Sequence, residues 1–104
     1  MAISQAMCTS FKVGILDSTF DFSSGTAQTF KIALYTSSAT LDATTTAYSV
    51  TNEVSGTGYS AGGNTLTIST NPTSSSTTAF LDFADTTWSA ATITARGALG
   101  YLAD

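Results

Sequence analysis

The chain contains no histidine, one cysteine, one proline and three basic residues, and each shortage removes a class of function. Without histidine the commonest general base is missing, and one Cys with no His cannot assemble a structural zinc site. Cys8 has no second cysteine to pair with, so no disulfide braces the fold, and with no basic residue beside it in sequence it reads as a small buried hydrophobe rather than a nucleophile. Lys12, Lys31 and Arg96 against seven acidic residues give a formal net charge of −4, which leaves no basic patch for nucleic acid or an anionic membrane. No window approaches ~18 unbroken apolar residues, so no membrane-spanning segment is expected. Residues Met1 to Cys8 lack both a basic region and a continuous apolar run, so no signal peptide is expected either.

What is present is hydroxyl and carbon. Ser and Thr supply 36 of 104 residues, 42% are hydrophobic and only 10% are charged. That much apolar content with so little net charge argues for folding rather than disorder. The length fits one domain, residues 1–104, with a thin core and a surface of hydroxyl groups.

From Ile3 to Leu16 the residues Ile3, Met7, Phe11 and Ile15 recur every four positions, predicting an N-terminal α-helix within residues 1–17. Ala2, Ala6, Val13 and Leu16 fall on the opposite side, so the helix has a second apolar face. That face either grazes the domain's own loops or meets a neighbouring subunit, and Val13 and Leu16 are the interface candidates on it. Asp17 to Gly25 is rich in turn formers and stops the helix.

Residues 28–104 read as a β-rich body. Thr29 to Thr36 alternates Phe30, Ile32 and Leu34 against Lys31, Ala33 and Tyr35, the clearest strand in the chain. Ser37 to Val50 reads as a packed connection, with a short helical turn possible between Leu41 and Tyr48. A glycine-rich loop follows at 52–64, then strands at Thr65–Thr70, ended by Asn71-Pro72, at Thr78–Asp85 and at Ala91–Arg96, with Gly97–Leu102 a fifth or an extension. The predicted class is mainly β, an antiparallel sandwich or barrel, jelly-roll-like in one version, with one N-terminal helix. The expected core comprises Phe11, Phe30, Ile32, Leu34, Leu81, Phe83, Trp88 and Ile93.

Candidate chemistry is sparse. The run Gly56-Thr-Gly58-Tyr-Ser-Ala-Gly62-Gly63 lacks the strand-before, helix-after frame of a dinucleotide site and reads as tight turns. Asp17 and Asp21 sit where Asp caps backbone donors, and no cleft can be placed around Asp82 and Asp85. Tyr59, at the tip of loop 52–64, is a further interface candidate, with Asn52 and Glu53 at the start of that loop. No catalytic residue, metal ligand or cofactor is expected, and the chain reads as non-enzymatic.

Several segments occur together in a recognisable order. They are Ser10-Phe-Lys12, Phe30-Lys-Ile-Ala-Leu-Tyr-Thr-Ser-Ser-Ala-Thr-Leu41, Thr45-Thr-Ala-Tyr48, Thr51-Asn-Glu-Val-Ser-Gly-Thr-Gly-Tyr-Ser-Ala-Gly-Gly63, Phe83-Ala-Asp-Thr-Thr-Trp88 and Thr92-Ile-Thr-Ala-Arg-Gly-Ala-Leu99. The set, which spans nearly the whole chain, resembles a family of small tailed-bacteriophage virion proteins. The resemblance implies a particle component, assembled in the host cytoplasm and resident in the virion. The leading expectation is a capsid cement or decoration protein that contacts the major capsid protein or other virion proteins, in homo-oligomeric form. A tail, neck or fibre-associated role, and a host-glycan-binding module using Tyr59 and Trp88, are the alternatives.

Overall fold

A computed structural model describes residues 3–23 and 28–103. The sequence readings that place Ala2 on the helix, Gly25 in the following turn and Asp104 in the β-rich body lie outside those residues. The protein is mainly β, with antiparallel sheets and one short N-terminal helix.

Helix α1 spans Thr9–Leu16, about half the predicted length. The reason lies in residues 3–8, which run extended beside the connection that follows the first strand. Ile3 forms a parallel bridge with Leu41, the Ser4 amide donates to the Leu41 carbonyl at 2.8 Å, and the Thr9 amide donates to the Ala43 carbonyl at 2.9 Å. Those backbone groups are spent on a tertiary partner instead of a first helical turn. The four-residue stripe is broken accordingly: Ile3 packs on the core, Phe11 is half-buried, and Met7 and Ile15 are exposed. The one buried residue of α1 is Gly14, because the Phe20 ring lies where a β-carbon would stand, at 2.2 Å.

Strand β1 (Phe30–Tyr35) is central in a three-stranded sheet. It pairs antiparallel with β2 (Asn64–Leu66) on one side and with β5 (Gly97–Leu102) on the other, the latter along its whole length from Phe30↔Leu102 to Tyr35↔Gly97. Strands β3 (Ile68–Ser75) and β4 (Thr78–Phe83) form a separate antiparallel hairpin. The expected strand at Thr65–Thr70 is thus divided at Thr67, whose carbonyl accepts the Ala84 amide at 2.7 Å. Pro72 does not end β3. Register shifts between Ile68 and Thr70 and between Thr70 and Thr73 let the strand pass through it, as bulges accommodate a residue without an amide proton.

The alternating segment Ala91–Arg96 is not a strand. All six residues of β1 are already paired with Gly97–Leu102, so the preceding segment lies past the end of β1. It is held by a single bridge, Thr57↔Thr92, and by the Arg96 amide on the Tyr35 carbonyl at 2.8 Å.

The deepest packing is not on the face that the β1 alternation suggested. Ala33, Tyr35, Ala39 and Leu41 form the buried cluster, with Ile3, Tyr48, Leu99 and Tyr101 against it. Of the expected core residues Phe30 is buried, whereas Phe11, Ile32, Leu34, Leu81, Phe83, Trp88 and Ile93 are half-buried. The side of β1 that carries Ala33 and Tyr35 is roofed by the connection containing Ala39 and Leu41 and by the N-terminal segment. Small side chains let those pieces approach closely. On the other side, Phe30 belongs to an aromatic group that joins the two sheets to the helix: Phe22 stacks on Phe30 at 4.4 Å, Phe83 of β4 lies 6.4 Å from Phe30, and Phe11 meets Phe20 at 4.9 Å. Two antiparallel sheets meeting through such a layer fit a small β-sandwich.

Candidate interaction surface

Three sets of residues carry potential for contact or chemistry: the outer face of α1, the loop 52–64 and the acidic side chains. They behave differently. Val13 is 55% exposed and Leu16 87% exposed, so the two helix candidates stand in solvent as large apolar side chains. Met7, in the segment before α1, and Ile15, on the other stripe of the helix, are also exposed, at 55% and 49%. Large apolar side chains left exposed side by side on a short helix make that side of α1 a candidate contact site.

Two of the three loop candidates, Glu53 and Tyr59, turn inward instead. Glu53 is half-buried and its carboxylate accepts three hydrogen bonds, from the Tyr48 hydroxyl at 2.5 Å, the Tyr59 hydroxyl at 2.5 Å and the Gly62 amide at 2.8 Å. The Tyr59 hydroxyl in turn accepts the Leu34 amide at 2.9 Å. Tyr101 stacks on Tyr48 at 4.7 Å and donates its hydroxyl to the Gly62 carbonyl at 2.7 Å. The expectation that Tyr59 stands at a free loop tip is therefore corrected: its polar end ties the loop to β1, because the lone carboxylate nearby offers a charged acceptor. Asn52 is exposed but works for its own turn. It adopts φ 63°, its side-chain amide donates to the Ser38 carbonyl, and its carbonyl accepts from the Thr36 amide.

This network shifts several ionisations. Burial pushes the Glu53 carboxyl upward, but the hydrogen bonds from Tyr48, Tyr59 and the Gly62 amide outweigh it, and the net displacement is downward. Burial and then the bond to Glu53 push Tyr59 up to about 12. The bond to Glu53, followed by burial, raises Tyr48 further. The three hydrogen bonds onto the Glu53 carboxylate tie loop 52–64 to β1 and to the Tyr48 segment.

Three further acids are local caps. Asp17 Oδ1 accepts from the Thr19 amide and hydroxyl, Asp42 Oδ1 from those of Thr44, and Asp21 Oδ1 from the Ser23 amide. Asp82 is exposed on β4. Among the described residues no group of three His, Cys, Asp or Glu side chains gathers to hold a metal ion, and no helix is long and apolar enough to cross a membrane. The Cys8 thiol donates to the Asp42 carbonyl at 3.6 Å.

Trp88 and Tyr59, the pair considered for sugar stacking, lie 6.0 Å apart at 31°, and both are half-buried. An apolar groove of about 540 Å³ runs between α1 and β5, with Phe11, Phe22, Phe83 and Tyr48 among its lining side chains. Cys8, Tyr48 and Tyr101 are the titratable side chains on its otherwise largely apolar wall. No family model, curated protein or solved structure matches this chain.

The Glu53 cluster went unread in the sequence, although a signal was there. A single acid lies five residues after Tyr48 and six before Tyr59 in a loop with no basic residue, so phenols are the donors within reach.

Proposed function

We propose that this chain is a non-enzymatic structural protein of a bacteriophage particle, a capsid cement or decoration protein that stabilises contacts between major capsid subunits. The observation that carries the reading is the outer face of α1, where Val13 and Leu16 stand exposed without a partner in the isolated chain. A charge-poor, hydroxyl-rich surface supports it, since many copies can sit close together without strong mutual repulsion. The ordered segments from Ser10 to Leu99 that resemble small tailed-phage virion proteins point the same way. Each contact would be modest, and attachment would gain from repetition over a lattice.

The deciding experiment is to count and locate the protein in imaged particles. Copies in fixed proportion to the major capsid protein, seated between capsid subunits, are expected. A handful of copies at the neck, tail or fibres would replace this reading with the tail-associated one. Absence from purified particles would reject both.

A further inference from the structure

The β3–β4 hairpin is the least supported part of the fold. Among the described residues its two strands pair only with each other, every residue from Asn71 to Phe80 is exposed, and it is anchored at its base by Ile68↔Phe83 and by the contacts of Phe83 with Phe22 and Phe30. Eight residues of β3 extend about 26 Å. A two-stranded ribbon of this kind is marginal in water unless a further strand or surface completes it.

The two outer edges of the ribbon are not equivalent. Both register shifts fall on β3, which also contains Pro72, so its outer edge is kinked and lacks an amide proton. Strand β4 is regular from Thr78 to Phe83 and contains no proline, glycine or lysine. The Ala84 amide points to β3, donating to Thr67, so by alternation Phe83, Leu81 and Ala79 direct their amides and carbonyls outward along β4.

The molecule as a whole also exposes more surface than a finished domain should. Its accessible area is 6636 Å², against about 5,500 Å² expected for a compact monomer of this mass. The surplus, roughly 1,100 Å², is spread over the chain, the apolar side chains on and beside α1 included, and Phe80 of β4 is one of its large apolar contributors. The radius of gyration, 14.5 Å, likewise exceeds the ~13 Å of a compact chain of this length.

We infer that β4 is the pairing edge for a second copy of this chain, the two hairpins joining antiparallel about a two-fold axis at Leu81 into one four-stranded sheet. That register uses all three outward-facing residues, Leu81 against Leu81 and Ala79 against Phe83 of the second copy. It also sets Asp82 opposite Phe80 of the second copy, which keeps the two carboxylates apart and covers a ring that is 43% exposed in the single chain. Because the β3 edge is blocked, association closes at two instead of growing into a fibril. The pairing stands apart from the particle role and can be tested without it.

Sedimentation of the full chain should show a dimer that dissociates on dilution over about 1–200 μM. Phe80→Asp places a charge opposite Asp82 of the second copy at a site exposed in the monomer. It should weaken the dimer about tenfold or more while leaving the circular dichroism unchanged. Adding Asp82→Lys to Phe80→Asp should restore the dimer, since each new carboxylate then faces an ammonium. In parallel, the amides of Ala79, Leu81 and Phe83 should exchange slowly with deuterium in the dimer and rapidly in Phe80→Asp. A wild-type chain that stays monomeric over the range, a trimer, a Phe80→Asp dimer as tight as wild type, a double variant that stays dissociated, or fast exchange at those amides in the wild type would each overturn the inference.

Discussion

Tyr59 donates its hydroxyl proton to Glu53 at 2.5 Å while accepting the Leu34 amide at 2.9 Å, so one phenol connects the glycine-rich loop to the centre of β1. Removing the carboxylate should therefore loosen a whole segment. Glu53→Ala strips Tyr48, Tyr59 and Gly62 of their shared acceptor and is expected to cost about 2 kcal/mol, water replacing part of the loss at this half-solvated site. Glu53→Gln keeps one acceptor oxygen and should cost less. Urea midpoints at constant slope measure both, and equal stability of Glu53→Ala and wild type would show the network to be passive.

The same bonds predict two limits in pH. Glu53 has a folded-state value below its unfolded one, so its contribution is present above about 4.5 and is lost as pH falls through the lower, folded value. Tyr59 is displaced in the other direction. Its contribution is intact below about 10 and is lost as pH rises toward 12. Thermal melts across pH should show an acid limb that flattens in Glu53→Gln and an alkaline limb that moves in Tyr59→Phe.

Two glycines should respond oppositely to alanine. Gly63 has φ 76°, and a β-carbon there would stand 1.8 Å from the Ile32 carbonyl oxygen, backbone against backbone. Gly63→Ala should cost about 3 kcal/mol or more, or prevent folding. Gly100, in β5, has nothing within 4 Å of a β-carbon, so Gly100→Ala should be neutral or stabilise by about 0.5 kcal/mol. Melting both variants beside wild type checks the pair.

On α1, Val13→Lys and Leu16→Lys should leave unfolding within about 0.5 kcal/mol of wild type, because both sites are exposed and Lys suits the C-terminal half of a helix. Both should reduce the number of copies retained on particles. A loss of stability matching the loss of attachment would mean that the face belongs to the fold rather than to a contact.

Class and strand position were legible in the sequence where alternation was strong and the partner was another regular strand, as at Phe30–Tyr35 and Thr78–Phe83. What escaped was set by non-local cover. Periodicity marks two faces of β1 but not which one the Ala39–Leu41 connection will roof, so Tyr35 is buried more deeply than Ile32 or Leu34. The Ile3-to-Ile15 stripe satisfied a helical period, yet Leu41 and Ala43 claimed its first backbone groups. Pro72 is a sound strand terminator until a bulge absorbs it. At the candidate surface, angular position did not sort the exposed side of α1, where Ile15 of one stripe stands in solvent along with Val13 and Leu16 of the other, and Tyr59 was misread because its fate depends on a carboxylate six residues away.

The pairing of β1 with β5 has a consequence for how the chain is made. Tyr35 is complete 62 residues before Gly97 exists, and at ribosomal speeds of about 5–20 residues per second that interval is roughly 3–12 s. During it the central strand has no partner on its β5 side and only the three residues of β2 on the other. Synthesis, not collapse, sets the earliest moment at which this sheet can close.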